Sequence, residues 1–199
     1  VSFHLGSQCI NPNAYKLAIN KTSSLIKASN LDVDFFNIGG GFPAEYFGLK
    51  LQPLTKYFKV INTEFEKNFK NSKTKLLSEP GRVLVSKSMS LIVRVDLRKK
   101  NILYINDGTH SFLHDAGAHD FIYPVKIFNK EEKSKLKPFS FYGPTCDSND
   151  FMRGPFLLPE SINEGDYLQI EEMGAYSLSM KNNFNGFFST PKIFIDEEK

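Results

Sequence analysis

The sequence predicts an α/β region followed by an all-β region. Short apolar runs alternate with helical patterns over residues 1–82, whereas the later apolar runs are separated by polar turns without a long helical pattern between them. Parallel strands need a crossover, usually a helix, but antiparallel strands need only a turn. We therefore expect an α/β region over residues 1–85 and an antiparallel β-domain over residues 86–199.

Strand-like runs cover residues 1–5, 33–38 and 75–78, and each ends in polar or glycine-rich residues. Asn11 followed by Pro12 is typical of a helix start, with proline at the first helical position. Parallel pairing of the three strands would place three loops at one edge of the sheet. A second helix is predicted from a single apolar stripe made of Leu54, Tyr57, Phe58, Ile61, Phe65 and Phe69.

Three parallel strands cannot close a barrel, and an isolated three-stranded parallel sheet would leave an edge exposed. The chain also begins at Val1 rather than at a methionine. We therefore expect a fragment whose parent protein carries further strands upstream. In the second half, β-rich runs are predicted at residues 83–85, 91–93, 102–105, 121–128, 139–142 and 167–170.

Composition limits the classes of partner. The formal charge of +3 is spread over scattered lysines, so no basic cluster predicts a nucleic-acid partner. No apolar run approaches the length of a membrane span, and we expect no membrane segment. Cys9 and Cys146 lie far apart without metal-ligand spacing, which indicates free thiols, no metal site and a reducing compartment such as the cytoplasm.

The residues at the three strand ends suit a ligand with a basic ring and a phosphate. Consecutive glycines let backbone N–H groups approach a phosphate closely, and an arginine holds it with paired hydrogen bonds. A carboxylate binds a basic ring nitrogen, and an imidazole stacks on a ring face. A flexible turn and a structural histidine are the ordinary alternatives, and the nicotinamide pattern G-x-G-x-x-G is absent. The residues are His4, Ser7, Gly39, Gly40, Gly41, Glu79 and Arg82.

Six motifs in order identify a resemblance that covers nearly the whole chain. They are FHLGSQ at residues 3–8, NIGGGFP at 37–43, SEPGR at 78–82, NDG at 106–108, GPTCD at 143–147 and MGAY at 173–176, and NGF at 185–187 also fits. The chain resembles the eukaryotic-type ornithine decarboxylases and is closest to their bacterial forms. Diaminopimelate decarboxylases share the His-x-Gly-Ser-Gln and Glu-Pro-Gly-Arg runs, but the GPTCD and IGGGFP runs favour the ornithine branch.

The resemblance implies pyridoxal phosphate as cofactor and an alanine-racemase-like (β/α)8 barrel, of which this chain holds the last strands, followed by a C-terminal β-domain. It implies that His4 stacks on the cofactor ring, that Ser7 binds near the phosphate, and that Glu79 pairs with the pyridine nitrogen. The implied phosphate ligands are Gly39, Gly40, Gly41, Arg82 and Tyr176, and Gly81 is counted with the cofactor-binding residues.

For the substrate, the resemblance implies decarboxylation of L-ornithine to putrescine in polyamine biosynthesis. Cys146 would return a proton to the substrate α-carbon, and Asp147 and Asp115 would bind the distal amine. Cys146 and Asp147 would reach the active site of the other subunit of a homodimer. Lysine, arginine or diaminopimelate as substrate, and a non-catalytic relative of the antizyme-inhibitor kind, are the alternatives. A structural β-domain with chance motifs is a third.

Two features depart from the family pattern. His110 stands where the family often has tyrosine, in a stretch that is shorter than in animal enzymes. The Schiff-base lysine of the family lies on the first barrel strand, upstream of this chain. Lys126 follows a superficially similar run but lies in the predicted β-domain, so we reject it. We therefore expect the isolated fragment to be inactive.

Overall fold

The computed structural model describes residues 1–129 and 134–187, so residues 130–133 and 188–199 of the predicted β-domain lie outside it. The chain forms two compact units. The first contains Val1–Ser90 and Glu171–Ala175, and the second contains Leu91–Ile170 and the residues from Tyr176 onward. In the described part of the chain, no helix is both long and apolar enough to cross a membrane.

The first unit contains a small parallel sheet. β1 (Phe35–Asn37) pairs with β2 (Lys75–Leu77) in parallel. The predicted strand at residues 1–5 forms only a parallel bridge between Ser2 and Asn37, supported by a hydrogen bond of 2.9 Å from the Asn37 N–H to the Val1 carbonyl. The parallel α/β arrangement predicted for this region is confirmed, although its strands are shorter than predicted.

Two helices cover this sheet with aromatic side chains. α1 (Asn13–Ala28) begins one residue after Pro12, the predicted first helical position, and the Asn11 side chain accepts a 3.0 Å hydrogen bond from the Asn13 N–H. α2 (Leu54–Phe69) buries Tyr57 and Ile61 completely. Phe58 of the predicted apolar stripe remains 44% exposed, whereas the other members pack on the core.

The predicted strand at residues 83–85 is wrong. These residues belong to a short helix, α3 (Arg82–Val85), whose first turn is closed by a 2.9 Å hydrogen bond from the Leu84 N–H to the Gly81 carbonyl. Apolar and β-branched residues favour a strand in isolation. Here they directly follow a parallel strand, and a chain that leaves a parallel strand must turn away from the sheet rather than extend it.

The second unit is built on a six-stranded sheet with the strand order β5-β8-β3-β4-β6-β7. Neighbouring strands are antiparallel except β4 and β6, which pair in parallel. The prediction of a purely antiparallel domain is therefore wrong at this pair, because a long connection between β4 and β6 lets the chain return in the same direction. The strands are β3 (Leu91–Lys99), β4 (Ile102–Ile105), β5 (Val125–Ile127), β6 (Leu136–Tyr142), β7 (Phe151–Pro159) and β8 (Tyr167–Ile170).

Strand β7 has no counterpart in the sequence prediction. It contains Gly154 and Pro155 and ends at Pro159, which are residues that argue against a strand in sequence reasoning. Among the described strands, β7 lies at the edge of the sheet and pairs with β6 alone, and proline is tolerated at such an edge. Two short helices complete the described part of this unit, α4 (His114–Ala118) and α5 (Ser177–Met180).

Candidate active site

The parallel strands bring three loops of the first unit together. The Glu79 N–H donates a 2.9 Å hydrogen bond to the Gly39 carbonyl, and the Gly40 N–H donates one of 3.3 Å to Nδ1 of His4. The side chains of His4 and Glu79 are exposed at this edge. The sequence prediction that these strand ends converge is therefore confirmed.

Asn37 fixes both the acid and the glycine run. Its Nδ2 donates to Oε1 of Glu79 at 2.7 Å, and its Oδ1 accepts from the Gly39 N–H at 2.8 Å. One amide thus orients the carboxylate and the first turn of the loop together. Asn37 belongs to the NIGGGFP motif, but its role was not predicted from the sequence. Its position as the last residue of β1, directly before the glycines, was the available signal.

The glycine run is required by close backbone contacts. A Cβ atom on Gly39 would lie 2.2 Å from the Phe3 carbonyl oxygen, and one on Gly41 would lie 2.4 Å from that of Gly6. Both glycines also have positive φ values, +66° and +97°. The run is therefore a tightly packed cradle rather than a flexible turn.

Arg82 is the buried cation of the first unit. It lies at the start of α3 with an exposed fraction of 7%. Its Nη1 donates a 2.9 Å hydrogen bond to the Tyr46 hydroxyl, and its guanidinium carbon lies 5.7 Å from the centre of the Tyr46 ring. Tyr46 was missed by sequence reasoning because it lies in a loop, 36 residues before Arg82.

Ser7 lies on an exposed loop that is held in place by hydrogen bonds of the Gln8 side chain. The Gln8 side chain donates to the Ala44 carbonyl at 2.9 Å and accepts from the Ala44 N–H at 2.7 Å. These two bonds join the loop that carries Ser7 to the segment that follows the glycine run. Gln8 thus positions a predicted phosphate-binding residue, a role that its place in the FHLGSQ motif did not reveal.

The second unit carries Cys146 and Asp147 on one loop. Oδ1 of Asp147 accepts from the Asn149 N–H at 2.9 Å, and Oδ2 lies 2.8 Å from Nε2 of His110. These contacts, first that of Asn149 and then that of His110, hold the pKa of Asp147 below its usual value. Cys146 is exposed, and its sulfur accepts a 3.0 Å hydrogen bond from the Asn185 side chain.

Asp150 is a completely buried carboxylate that sequence reasoning missed. Oδ1 accepts from the Thr109 N–H at 2.7 Å, and Oδ2 accepts from the Thr145 N–H at 3.1 Å and from its hydroxyl at 2.7 Å. A Cβ atom on Gly108 or Gly143 would lie 2.0 or 2.2 Å from this carboxylate. Asp150 therefore joins the NDG and GPTCD motifs, and it explains why both contain glycine.

Comparison with known proteins identifies the family. Residues 1–86 match the family model described as pyridoxal-dependent decarboxylase, pyridoxal binding domain. The matched segment, residues 1–86, belongs to this family of pyridoxal-binding domains. Ornithine decarboxylase 2 of Drosophila melanogaster is 32% identical over 94% of this chain and 49% of its own length. Antizyme inhibitor 2 of Xenopus laevis is 32% identical over 96% of this chain and 46% of its own length.

A solved structure shares the fold of this chain. The lysine/ornithine decarboxylase of Vibrio vulnificus, complexed with cadaverine, has a TM-score of 0.76 and 29% identity over 94% of this chain and 52% of its own. The chain thus spans about half the length of the curated relatives that it matches. The alanine-racemase-like fold expected from the motifs agrees with the folds of these decarboxylases.

The strand-end residues of the matched segment fit pyridoxal phosphate. The cofactor has a basic ring nitrogen, an aromatic face and a phosphate. Glu79 presents an exposed carboxylate oriented by Asn37, and His4 presents an imidazole at the same edge. The glycine cradle packs against backbone carbonyls at the same edge, and Arg82 supplies a buried cation. When bound, the cofactor provides an electron sink for the substrate α-carbon.

The roles of Tyr176 as a phosphate ligand and of Asp115 as a substrate ligand remain predictions. Tyr176 belongs to the second unit, where it precedes α5 with a positive φ of +60° and a half-exposed side chain. Asp115 is buried on α4. His114, Asp115 and His119 place one ligand atom each within 4.8 Å of one another.

Proposed function

We propose that the protein to which this chain belongs decarboxylates L-ornithine to putrescine with pyridoxal phosphate as cofactor. The observation that carries the proposal is the Asn37–Glu79 pair beside the glycine cradle. An acid fixed in this way keeps a proton on a bound ring nitrogen, which decarboxylation at an amino-acid α-carbon requires. The family of the chain and its named relatives support the same conclusion.

Each of the other predicted site residues has a role in this proposal. His4 stacks on the ring face, while Ser7, Arg82 and Tyr176 hold the phosphate together with the glycine cradle. After carbon dioxide leaves the substrate, the Cys146 thiol donates a proton to the α-carbon. The exposed position of Cys146, with Asn185 holding its sulfur, supports this role.

The substrate's distal ammonium binds to Asp147 in this proposal, and Asp115 is the second carboxylate. Asp147 stays ionised because its neighbours lower its pKa, so it can pair with a cation across the physiological pH range. Ornithine and lysine differ by one methylene, a difference that an apolar pocket discriminates by roughly 10–200-fold. The relatives named as ornithine decarboxylase favour ornithine, and the Vibrio vulnificus enzyme shows that this fold also serves lysine.

The test is an assay of the full-length protein for carbon dioxide release from ornithine, lysine, arginine and diaminopimelate. We expect the highest kcat/KM with ornithine. Release from only one of the other three amino acids would make that amino acid the substrate instead of ornithine. Release from none of the four would reject the enzymatic proposal.

We also propose a homodimer in the cytoplasm in which Cys146 and Asp147 complete the partner's site. Mixing inactive Glu79→Ala and Cys146→Ala proteins should then restore activity.

The Schiff-base lysine is proposed to lie upstream of this chain, so the 199 residues alone should not acquire the absorbance of a covalently held cofactor. Such absorbance would show that one of the lysines present here forms the bond. A full-length protein in which the upstream lysine is replaced should lose that absorbance.

A second candidate function is a non-catalytic binding protein, and the match to antizyme inhibitor 2 favours it. Cys146→Ala distinguishes the two functions. In an enzyme this variant should sharply reduce diamine formation, whereas in a binding protein it should leave partner binding unchanged and there would be no activity to lose. Ser148→Ala, two residues along the same loop, is the matched control.

A further inference from the structure

His110 contacts the carboxylate that the proposed function gives to the substrate's distal cation. Its Nε2 lies 2.8 Å from Oδ2 of Asp147, and the two side chains are 27% and 25% exposed. The other oxygen, Oδ1, already accepts the Asn149 N–H at 2.9 Å. Both carboxylate oxygens are therefore engaged by groups of this chain, while part of the carboxylate remains accessible to a ligand.

His110 is held both at its backbone and at its ring. The His110 carbonyl accepts a 3.3 Å hydrogen bond from the Asn182 N–H, and its ring packs against Phe184 with the ring centres 4.3 Å apart. A ring fixed in this way cannot turn away from Asp147 without losing the contact with Phe184. The N–H donor of His110 is therefore already beside Asp147 when a ligand binds.

Ammonium and guanidinium groups make different demands on a carboxylate. A guanidinium binds best through two parallel N–H groups, one to each oxygen, whereas an ammonium is a compact charge that needs one lone pair at a time. An ionised carboxylate offers about four lone-pair positions on its two oxygens. Asn149 and His110 each use one of these positions, on different oxygens. A guanidinium that takes both oxygens therefore shares each of them with a donor of this chain, whereas an ammonium has to share only one.

We propose that His110 is a specificity-determining residue that makes Asp147 accept a primary ammonium and reject a guanidinium. This inference rests on the proposed function and narrows it, because it makes substrates that end in an ammonium the preferred class. Where the family often has tyrosine, the shorter and rigid imidazole of this chain holds Oδ2 directly. Arginine is therefore the substrate that His110 excludes.

The test measures binding of putrescine, cadaverine and agmatine to the full-length holoenzyme by calorimetry. We expect the wild type to bind the better diamine at least tenfold more tightly than agmatine. In His110→Phe, which keeps an aromatic ring against Phe184 but loses the donor, this ratio should fall several-fold because agmatine binding improves. In His110→Gln, which retains one N–H donor, most of the ratio should be preserved.

The same variants assayed with ornithine and arginine separate selectivity from stability. The effect of His110→Phe should appear in KM rather than in kcat, because His110 acts on the distal end of the substrate. Equal wild-type affinities for diamines and agmatine would overturn the inference, even if no variant folds. An unchanged ratio in a folded His110→Phe would overturn it as well. A wild type that decarboxylates none of the basic amino acids and binds none of the amines overturns the proposed function too.

Discussion

The two units hold their functional loops by different means. In the first unit, Gly39 and Gly41 pack directly against backbone carbonyls, so the cradle is shaped by the absence of side chains. In the second unit, the loops around Cys146 are shaped by a side chain, because the buried Asp150 carboxylate collects N–H and hydroxyl groups from two motifs. The first loop is therefore fixed by close backbone packing, and the second by hydrogen bonds to a buried carboxylate.

This difference predicts two kinds of sensitivity. Substitutions that add a side chain should destabilise the glycine cradle, because a backbone carbonyl cannot move aside as a flexible side chain does. The Asp150 cluster fails when an acceptor is removed, because buried donors left without a partner cost about 1–3 kcal/mol each. Substitutions of either kind test whether the contrast is real.

The largest effect is expected for Asp150→Ala. Its carboxylate accepts the N–H groups of Thr109 and Thr145, and both residues also donate their hydroxyls to it. Removing a buried charged acceptor of several donors should lower the free energy of unfolding by on the order of 3–5 kcal/mol. Urea unfolding of the full-length protein measures the change.

Asp96→Ala is the matched control for Asp150→Ala. Asp96 lies in the same unit but is 40% exposed and pairs with Arg94 on the surface, so its loss should cost about 1 kcal/mol or less. If the two variants unfold at similar urea concentrations, the carboxylate does not anchor the loops. Asp150→Asn should be intermediate, because one amide oxygen remains as an acceptor.

The next largest effect is expected for Gly41→Ala. Its added Cβ meets the Gly6 carbonyl oxygen at 2.4 Å, and its φ of +97° disfavours any side chain. Backbone strain and overpacking together should cost about 2–4 kcal/mol. Gly48→Ala is a close control, since Gly48 also has a positive φ, +82°, but its Cβ would meet nothing within 4 Å.

The difference in unfolding free energy between Gly41→Ala and Gly48→Ala measures the effect of the close contact with the Gly6 carbonyl, because both positions have a positive φ. Gly48→Ala should cost about 1 kcal/mol and leave cofactor affinity unchanged. Gly41→Ala should also weaken pyridoxal phosphate binding, because the cradle has to open. Equal losses of stability in both variants would show that the close approach in the cradle is unimportant.

The same contrast explains what the sequence could predict. The cradle was predictable because three strand-like runs end in polar or glycine-rich residues, and parallel pairing brings such ends to one edge. Asp150 was not, because acidic residues in loops are mostly exposed, and nothing local shows that Thr109 is its partner 41 residues away. Asn37 and Tyr46 were missed for a similar reason, as their partners are distant in sequence.

The wrong elements were errors of tertiary context. Residues 83–85 have strand-like composition, but their place after a parallel strand turned them into α3. β7 was missed because its glycine and prolines argue against a strand, and only its position at the sheet edge makes them acceptable. The parallel pairing of β4 with β6 depends on strand order, which hydrophobic periodicity does not encode.

The smallest effect is expected for Asp107→Asn, and it depends on pH. Burial raises the pKa of Asp107 from 3.8 to about 6, against the opposing effect of the Phe112 N–H that donates to it at 3.0 Å. An acid with a raised pKa binds a proton on folding. Its contribution to stability is therefore complete below about pH 4 and is lost as the pH rises through about 6. The shift limits this loss to about 3 kcal/mol.

Asparagine is neutral at every pH, so Asp107→Asn should remove this pH dependence while retaining an acceptor for the Phe112 N–H. Relative to wild type, the variant should gain stability between pH 4 and pH 7, by less than about 3 kcal/mol. Urea midpoints at several pH values in this range measure the gain, with exposed Asp96→Asn as the control for losing a negative charge. A difference that stays constant with pH would mean that Asp107 is ionised throughout.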